Sequence, residues 1–255
     1  MWYILISFLL FFRSAGTHAQ QLYSRFDHLT TDNGLSSNRI WCIYRDSKDY
    51  LWMGTDVGLD KYDSYAVKKY RHDENQPLII SSNTILCIYE DREKRLWIGT
   101  DNGLNLYDPL KDNFKVFINI SDDKKSLNSN YIASIQEDKS GNLWILTDGN
   151  CMNKWDPETQ SFVRFQIENI NNRLWARASR MISNDSKGNL WIVSLNSGIT
   201  RFDPETGQFK KFKDPAVDLG SNCFKSIYVD KQDKIWITTD GNGFFSFDPL
   251  KDKFE

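Results

Sequence analysis

Histidine is scarce. The 255 residues hold three, and only His28 and His72 lie beyond residue 19. General acid–base catalysis and zinc binding both lean on imidazole, so little is left for either. No Ser–His–Asp set stands out, no Cys-x-x-Cys is present, and no glycine-rich stretch reads as a phosphate cradle. Cysteine numbers only four. Cys42 and Cys87 occupy the same place in two apolar stretches, Trp41-Cys-Ile-Tyr and Leu86-Cys-Ile-Tyr, which suits small packed thiols better than a bridge. Cys151 and Cys223 fall at unrelated places. Basic charge is not in excess: 32 Lys and Arg face 34 Asp and Glu, for a net charge of −2. These charges are scattered, so no field exists to draw in nucleic acid. Long apolar runs are missing too, with one exception at the N-terminus. Trp2–Phe12 is 11 residues long, too short to span a bilayer comfortably. It reads as the core of a secretory signal, residues 1–19, with cleavage near Ala19–Gln20, although no Lys or Arg precedes it. No Cys follows closely enough for a lipid anchor.

What the chain has in plenty is repetition. Its clearest unit is Asp91-Arg-Glu-Lys-Arg-Leu-Trp-Ile-Gly-Thr-Asp-Asn-Gly-Leu-Asn-Leu-Tyr-Asp108. The Trp recurs as Trp52, Trp97, Trp144, Trp191 and Trp236, at spacings of 45, 47, 47 and 45. An Asp stands six residues before each: Asp46, Asp91, Asp138, Asp185 and Asp230. Another closes each unit: Asp63, Asp108, Asp156, Asp203 and Asp248. A fixed period of about 40–50 residues is the mark of propeller blades or a stacked array. Asp at the same turn in every unit is a turn former; Asp138-Lys-Ser-Gly-Asn142 has too few carboxylates at alternate positions for a calcium loop. Neither a metal nor a cofactor is expected.

Each unit reads as four strands. The first is apolar (Ile40–Tyr44, Ile85–Tyr89, Ile132–Ile135), followed by an Asp-led turn, the Leu-Trp-Ile-Gly-Thr strand, a tight turn such as Asp101-Asn-Gly103, a third strand, and a fourth such as Phe114–Phe117. The fold class is therefore all-β: a β-propeller of four-stranded antiparallel blades, about five of them, at residues 38–70, 83–117, 130–165, 177–212 and 222–255 of a propeller region 22–255. One blade cannot bury both faces of its sheet, and the five Trp are placed to fill the seams. Residues 22–30, with Tyr23-Ser-Arg-Phe26-Asp-His-Leu29, read as a strand that could complete the last blade. Two arrangements follow: five blades closed by that strand, or, as the favoured reading, the front part of a larger propeller.

The pattern Asp-x-x-x-x-Leu-Trp-Ile-Gly-Thr-x-x-Gly-Leu-x-x-Tyr-Asp resembles the two-component regulator propeller repeat, over about residues 22–255. The resemblance implies the periplasmic sensor region of Bacteroides-type hybrid two-component systems. It also implies seven-bladed propellers, oligosaccharide ligands, and a histidine kinase encoded beyond this chain. A homodimer through the sensor region would fit, with membrane attachment only through such later parts.

Binding residues are sought where the units differ. Counting back from the turn Asp, position −3 is Ile43, Ile88, Ile135, Ile182 and Ile227, an expected core position. Position −5 is Trp41, Leu86, Ala133, Arg180 and Lys225; position −7 includes Arg39 and Tyr131. On a regular strand −5 and −7 share a face, which in a propeller lines the central channel. Arg39, Trp41, Tyr131, Arg180 and Lys225 are the resulting ligand candidates. Aromatic faces with Arg suit sugars, acidic ones especially. The expected function is a non-catalytic sensor. The alternatives are a propeller enzyme such as a polysaccharide or antibiotic lyase, and a free-standing protein-interaction propeller.

Overall fold

The computed structural model describes residues 28–75, 79–148, 151–167, 182–194, 198–212, 224–239, 241 and 243–255. Blade one is β1 (Ile40–Arg45), β2 (Leu51–Thr55), β3 (Leu59–Tyr62) and β4 (Val67–Tyr70). Blade two is β5 (Ile85–Glu90), β6 (Leu96–Thr100), β7 (Gly103–Asp108) and β8 (Asn113–Phe117). Blade three is β9 (Ile132–Glu137), β10 (Leu143–Thr147), β11 (Cys151–Asp156) and β12 (Ser161–Gln166). Blade four is β13 (Ile182–Asn184), β14 (Leu190–Ser194), β15 (Gly198–Asp203) and β16 (Gln208–Phe212). Blade five is β17 (Phe224–Val229), β18 (Ile235–Thr239), β19 (Phe244–Asp248) and β20 (Lys253–Phe254). Each blade is a sheet of four strands in chain order, all neighbours antiparallel. The first strands pack successively, β1 on β5, β5 on β9 and β13 on β17. The proposed signal segment and the strand at residues 22–27 lie outside the described residues. Residues 28–30 are not in a strand.

The spacing of Asp and Trp has a single physical meaning. In blade two, Asp91 Oδ1 accepts from the backbone N–H groups of Glu93 and Arg95, at 3.0 and 2.9 Å. Its Oδ2 accepts from Trp97 Nε1 at 2.9 Å. The indole bond recurs in the other blades at 2.7, 2.8, 2.9 and 2.8 Å. One carboxylate thus closes the turn and satisfies the only polar atom of a buried Trp, whose stranding would cost about 1–3 kcal/mol. The closing Asp residues do simpler work, accepting from backbone N–H groups two and three residues on, as Asp63 does from Tyr65 and Ala66. The tight turn after β6 needs its glycine: Gly103 has φ 136° and a Cβ there would meet Phe117 O at 3.1 Å.

Strand alternation gives every sheet a Trp face and an Ile face. Tyr89 pairs with Trp97 on one side, Ile88 with Ile98 on the other. The Trp face of each blade packs on the Ile face of the next: Trp52 meets Tyr107, Trp97 meets Trp155, Trp144 meets Phe202 and Trp191 meets Phe247, at centroid separations of 5.0, 5.4, 4.8 and 5.9 Å. Position −3 is buried at Ile88, Ile135, Ile182 and Ile227. Ile43 departs from the expected core: it is 60% exposed. The reason is its place on the Ile face of blade one, which has no Trp face against it among the described residues. The opposite end shows the complement, with Trp236 only half-buried and Phe244 66% exposed on the Trp face of blade five.

An outer lock joins blades one and two. Tyr70 and Tyr107 each donate a hydroxyl to Asp112 Oδ1 at 2.7 Å, and the Lys68 ammonium contacts the same carboxylate. Burial works against the Asp112 charge, but the Lys68, Tyr70 and Tyr107 hydrogen bonds outweigh it and hold its pKa at about 2. A carboxylate depressed in the folded state stabilises above its unfolded pKa, near 3.9, and loses that contribution as pH falls towards 2. Asp112→Asn is therefore expected to lose at most about 1 kcal/mol above pH 5, because the partly exposed pair is screened by solvent. The gap from the parent protein should close between about pH 4 and 2. Urea titrations across that pH range check this, and a gap that persists at pH 2 would refute the charge assignment.

Candidate ligand-binding cavity

The first strands of blades one, two, three and five surround a cavity of about 770 Å3. It takes the Trp-face residues Cys42 and Tyr44, Cys87 and Tyr89, and Ser134 and Gln136, together with Ile43, Ile88 and Ile135 from the other face. Blade five contributes Ser226. Ile40 and Trp41 complete the lining. No carboxylate, ammonium, guanidinium or imidazole lines it among the described residues. The lining is three aromatic rings, an amide, two serine hydroxyls and apolar surface.

Burial favours the neutral forms of Tyr89 and the two lining thiols. Burial pushes the Tyr89 hydroxyl up to about 12, with the Glu137 backbone opposing. Burial likewise pushes the Cys42 thiol up to about 12 and raises that of Cys87 further. Protonated thiols are poor nucleophiles and poor metal ligands. They serve a packing purpose: Cys42 lies opposite Gly54 and Cys87 opposite Gly99, so a small side chain faces none at the tightest part of the seam.

The sequence-predicted residues fare differently. In four blades the first strand carries an extra residue at or beside position −5. Ile40 pairs with Thr55 and Cys42 with Gly54, leaving Trp41 as a bulge. Leu86, Ala133 and Lys225 are the equivalent residues in blades two, three and five. A bulge breaks strict alternation and re-aims the side chain, so −5 and −7 do not share a regular strand face as expected. Trp41 reaches the cavity. Arg39 lies before β1, exposed, paired with Asp56 at 3.4 Å and placed 5.7 Å from the Trp41 ring centroid. Tyr131, just before β9, packs against the core shared by blades three to five. Lys225 is half-buried on the β17 bulge. Arg180 lies outside the described residues.

Position −2 was missed. It reads Tyr44, Tyr89, Gln136, Ser183 and Tyr228, and each pairs across the sheet with the repeated Trp or its neighbour strand. Three of the five line the cavity. The signal was present: a hydroxyl or amide recurs two residues before the turn Asp, directly after the Ile of position −3.

A profile of the two component regulator propeller matches residues 34–57, 79–102, 126–149 and 218–241. Each match runs from the linker before a first strand, through the Asp turn, to the end of the Trp strand, in blades one, two, three and five. Four of the five units thus match the two component regulator propeller repeat. The chain is similar to the extracellular domain of the hybrid two component system BT3049 from B. thetaiotaomicron, at 24% identity and a TM-score of 0.75, over 90% of this chain and 31% of that one. It is similar to the BT4673 extracellular domain from the same organism, at 28% identity and TM-score 0.69, over 89% and 31%. The chain thus spans about a third of the length of these two domains. Virginiamycin B lyase from Staphylococcus aureus shares the fold at 16% identity and TM-score 0.65, over 85% of this chain and 69% of the lyase. No curated protein matches the sequence.

Proposed function

We propose that this regulator propeller is part of an exported, periplasmic sensor region of a hybrid two component system, that it is not an enzyme, and that it recognises an oligosaccharide in the cavity between its first strands. The observation that carries this reading is the lining: Trp41, Tyr44 and Tyr89 offer ring faces, while Gln136, Ser134 and Ser226 offer hydrogen bonds without charge. Sugars present apolar C–H faces edged with hydroxyls, and such a wall meets both. The volume of about 770 Å3 suits a small ligand, for which roughly 300–1,000 Å3 is usual. The likeness to two hybrid-system extracellular domains supports the sensor role. Binding energy would bias the arrangement of paired propellers, and a histidine kinase elsewhere in the system would read that bias. Among the described residues the lining, with its protonated thiols and Tyr89, offers no general base, which favours a binder over a lyase.

Isothermal titration calorimetry against a panel of polysaccharide-derived oligosaccharides tests the reading. At least one is expected to bind saturably, and Tyr89→Ala or Trp41→Ala to weaken it about tenfold, the equivalent of about 1.4 kcal/mol. Saturable binding unaffected by both variants would move the site elsewhere. Silence across the panel would refute the sugar assignment.

A further inference from the structure

A second site lies at the seam of blades one and two, away from the central cavity. Two residues before the repeated Trp, blades two, three and four carry Arg95, Asn142 and Asn189, and each side chain donates to its own turn Asp. Blade five has Lys234 there. Blade one has Tyr50. An aromatic ring cannot make that bond, and the Tyr50 ring instead covers the Lys61 ammonium, 3.9 Å from its centroid. Trp52 and Tyr107 lie around the same ammonium at 5.1 and 5.5 Å. Beside it opens a pocket of about 140 Å3, lined by Lys48, Lys61 and Lys94 and by the acidic residues Asp46 and Glu90.

Three lysines outnumber the two acids of the lining, Asp46 and Glu90, and both acids already accept hydrogen bonds from other groups. Asp46 accepts from the backbone N–H groups of Lys48 and Tyr50, at 2.9 Å each, and from Trp52 Nε1 at 2.7 Å. Glu90 accepts from the Ser47 backbone N–H at 2.9 Å and its hydroxyl at 2.8 Å. Among the described residues none of the three lysines makes an ion pair. The geometry points to an oxyanion site: the Lys48, Lys61 and Lys94 ammoniums hold a carboxylate or sulfate group, and the Tyr50 and Tyr107 rings wall the moiety that carries it. The volume fits one such group with a few of its neighbouring atoms, since a water occupies about 30 Å3 of liquid. Burial lowers the Lys61 pKa from its ordinary value, despite opposition from Asp112 and Asp46. A bound anion would relieve that desolvation.

The test is calorimetric titration of the full chain with inorganic sulfate and, separately, with sodium glucuronate, each against sodium chloride at equal ionic strength. Saturable binding of either is expected, and which one binds names the group. Lys61→Met, which keeps an unbranched apolar stem, should weaken it at least tenfold, while Lys69→Met on the exposed side of β4 should leave it unchanged. Should Lys61→Met fail to fold, the double variant Lys48→Met/Lys94→Met, on two exposed chains, carries the same expectation. No saturable heat with either anion, or equal affinity in the Lys61 and parent proteins, overturns the site. Glycan binding lost through Tyr89→Ala but kept in Lys61→Met would separate this site from the central one.

Discussion

Trp97→Ala is expected to lower the free energy of unfolding by about 3–5 kcal/mol, the range for removing a fully buried Trp. The indole is wholly buried, and it meets Trp155 at 5.4 Å edge to face and Phe117 at 6.0 Å. Its loss leaves a large void at the seam of blades two and three. It also deprives Asp91 of a hydrogen bond inside that seam. Neighbouring strands cannot collapse into the space, because β6 is pinned on both sides by antiparallel ladders. The internal control is Trp236→Ala in blade five. That indole makes the same bond to Asp230 at 2.8 Å but is only half-buried. It should cost about half as much, because less apolar area returns to water. Urea unfolding followed by circular dichroism, compared at equal slope, measures both. An equal cost for the two would mean that turn closure, rather than the seam, carries the Trp contribution.

Gly99→Val is expected to destabilise by about 3 kcal/mol, the upper end for overpacking. Here glycine is required for space, not for conformation. A Cβ on Gly99 would lie 2.5 Å from Cys87 Sγ, 2.6 Å from Ile132 Cγ2 and 2.9 Å from Ile132 Cβ. The first neighbour belongs to its own blade, the other two to the next. Cys87→Ala in the Gly99→Val background should recover less than half of the loss, because the Ile132 contacts remain. A double-mutant cycle reads that coupling. Full recovery would place the clash within blade two alone. The same seam in blade one repeats the arrangement, with Gly54 against Cys42 Sγ at 2.5 Å and Ile85 Cγ2 at 2.7 Å. Blade three is built otherwise, with Leu146 opposite Ser134: the larger residue on one strand is matched by a smaller one on the other.

The candidate site was less legible than the fold. Trp41 was found because it fails to repeat, and it lines the cavity. Arg39 was selected on the same ground, yet it sits outside, paired with Asp56. The difference between them is a bulge, one extra residue whose presence depends on pairing with the next strand. Tyr44, Tyr89 and Gln136 belong to position −2, where a hydroxyl or amide recurs in all five units, so they do not stand out where the units differ. Likewise nothing in the sequence sets Lys61 apart from the other strand lysines. Its surroundings come from Tyr50 on the same blade and Tyr107 on the next, 46 residues away along the chain.

Period, strand number per unit and the two turns were readable from the chain itself, because each rests on interactions spanning a few residues. Asp at six before Trp closes a turn locally; Asn-Gly and Asp-led turns join neighbouring strands; alternation separates the two faces of a sheet. The sequence thereby determined five four-stranded blades, four of which match the regulator propeller repeat. Tertiary structure alone decided which Ile of position −3 is buried, where the bulges turn their side chains, what lines the cavity, and which lysines meet. The bulges arise from pairing with the next strand of the same blade; the other outcomes depend on contacts between residues some 43 to 47 apart, from Ser47 with Glu90 to Ser186 with Asp233. Such contacts arise only once one blade is laid against another, which is why Ile43, chemically identical to its four counterparts, stands exposed where they are core.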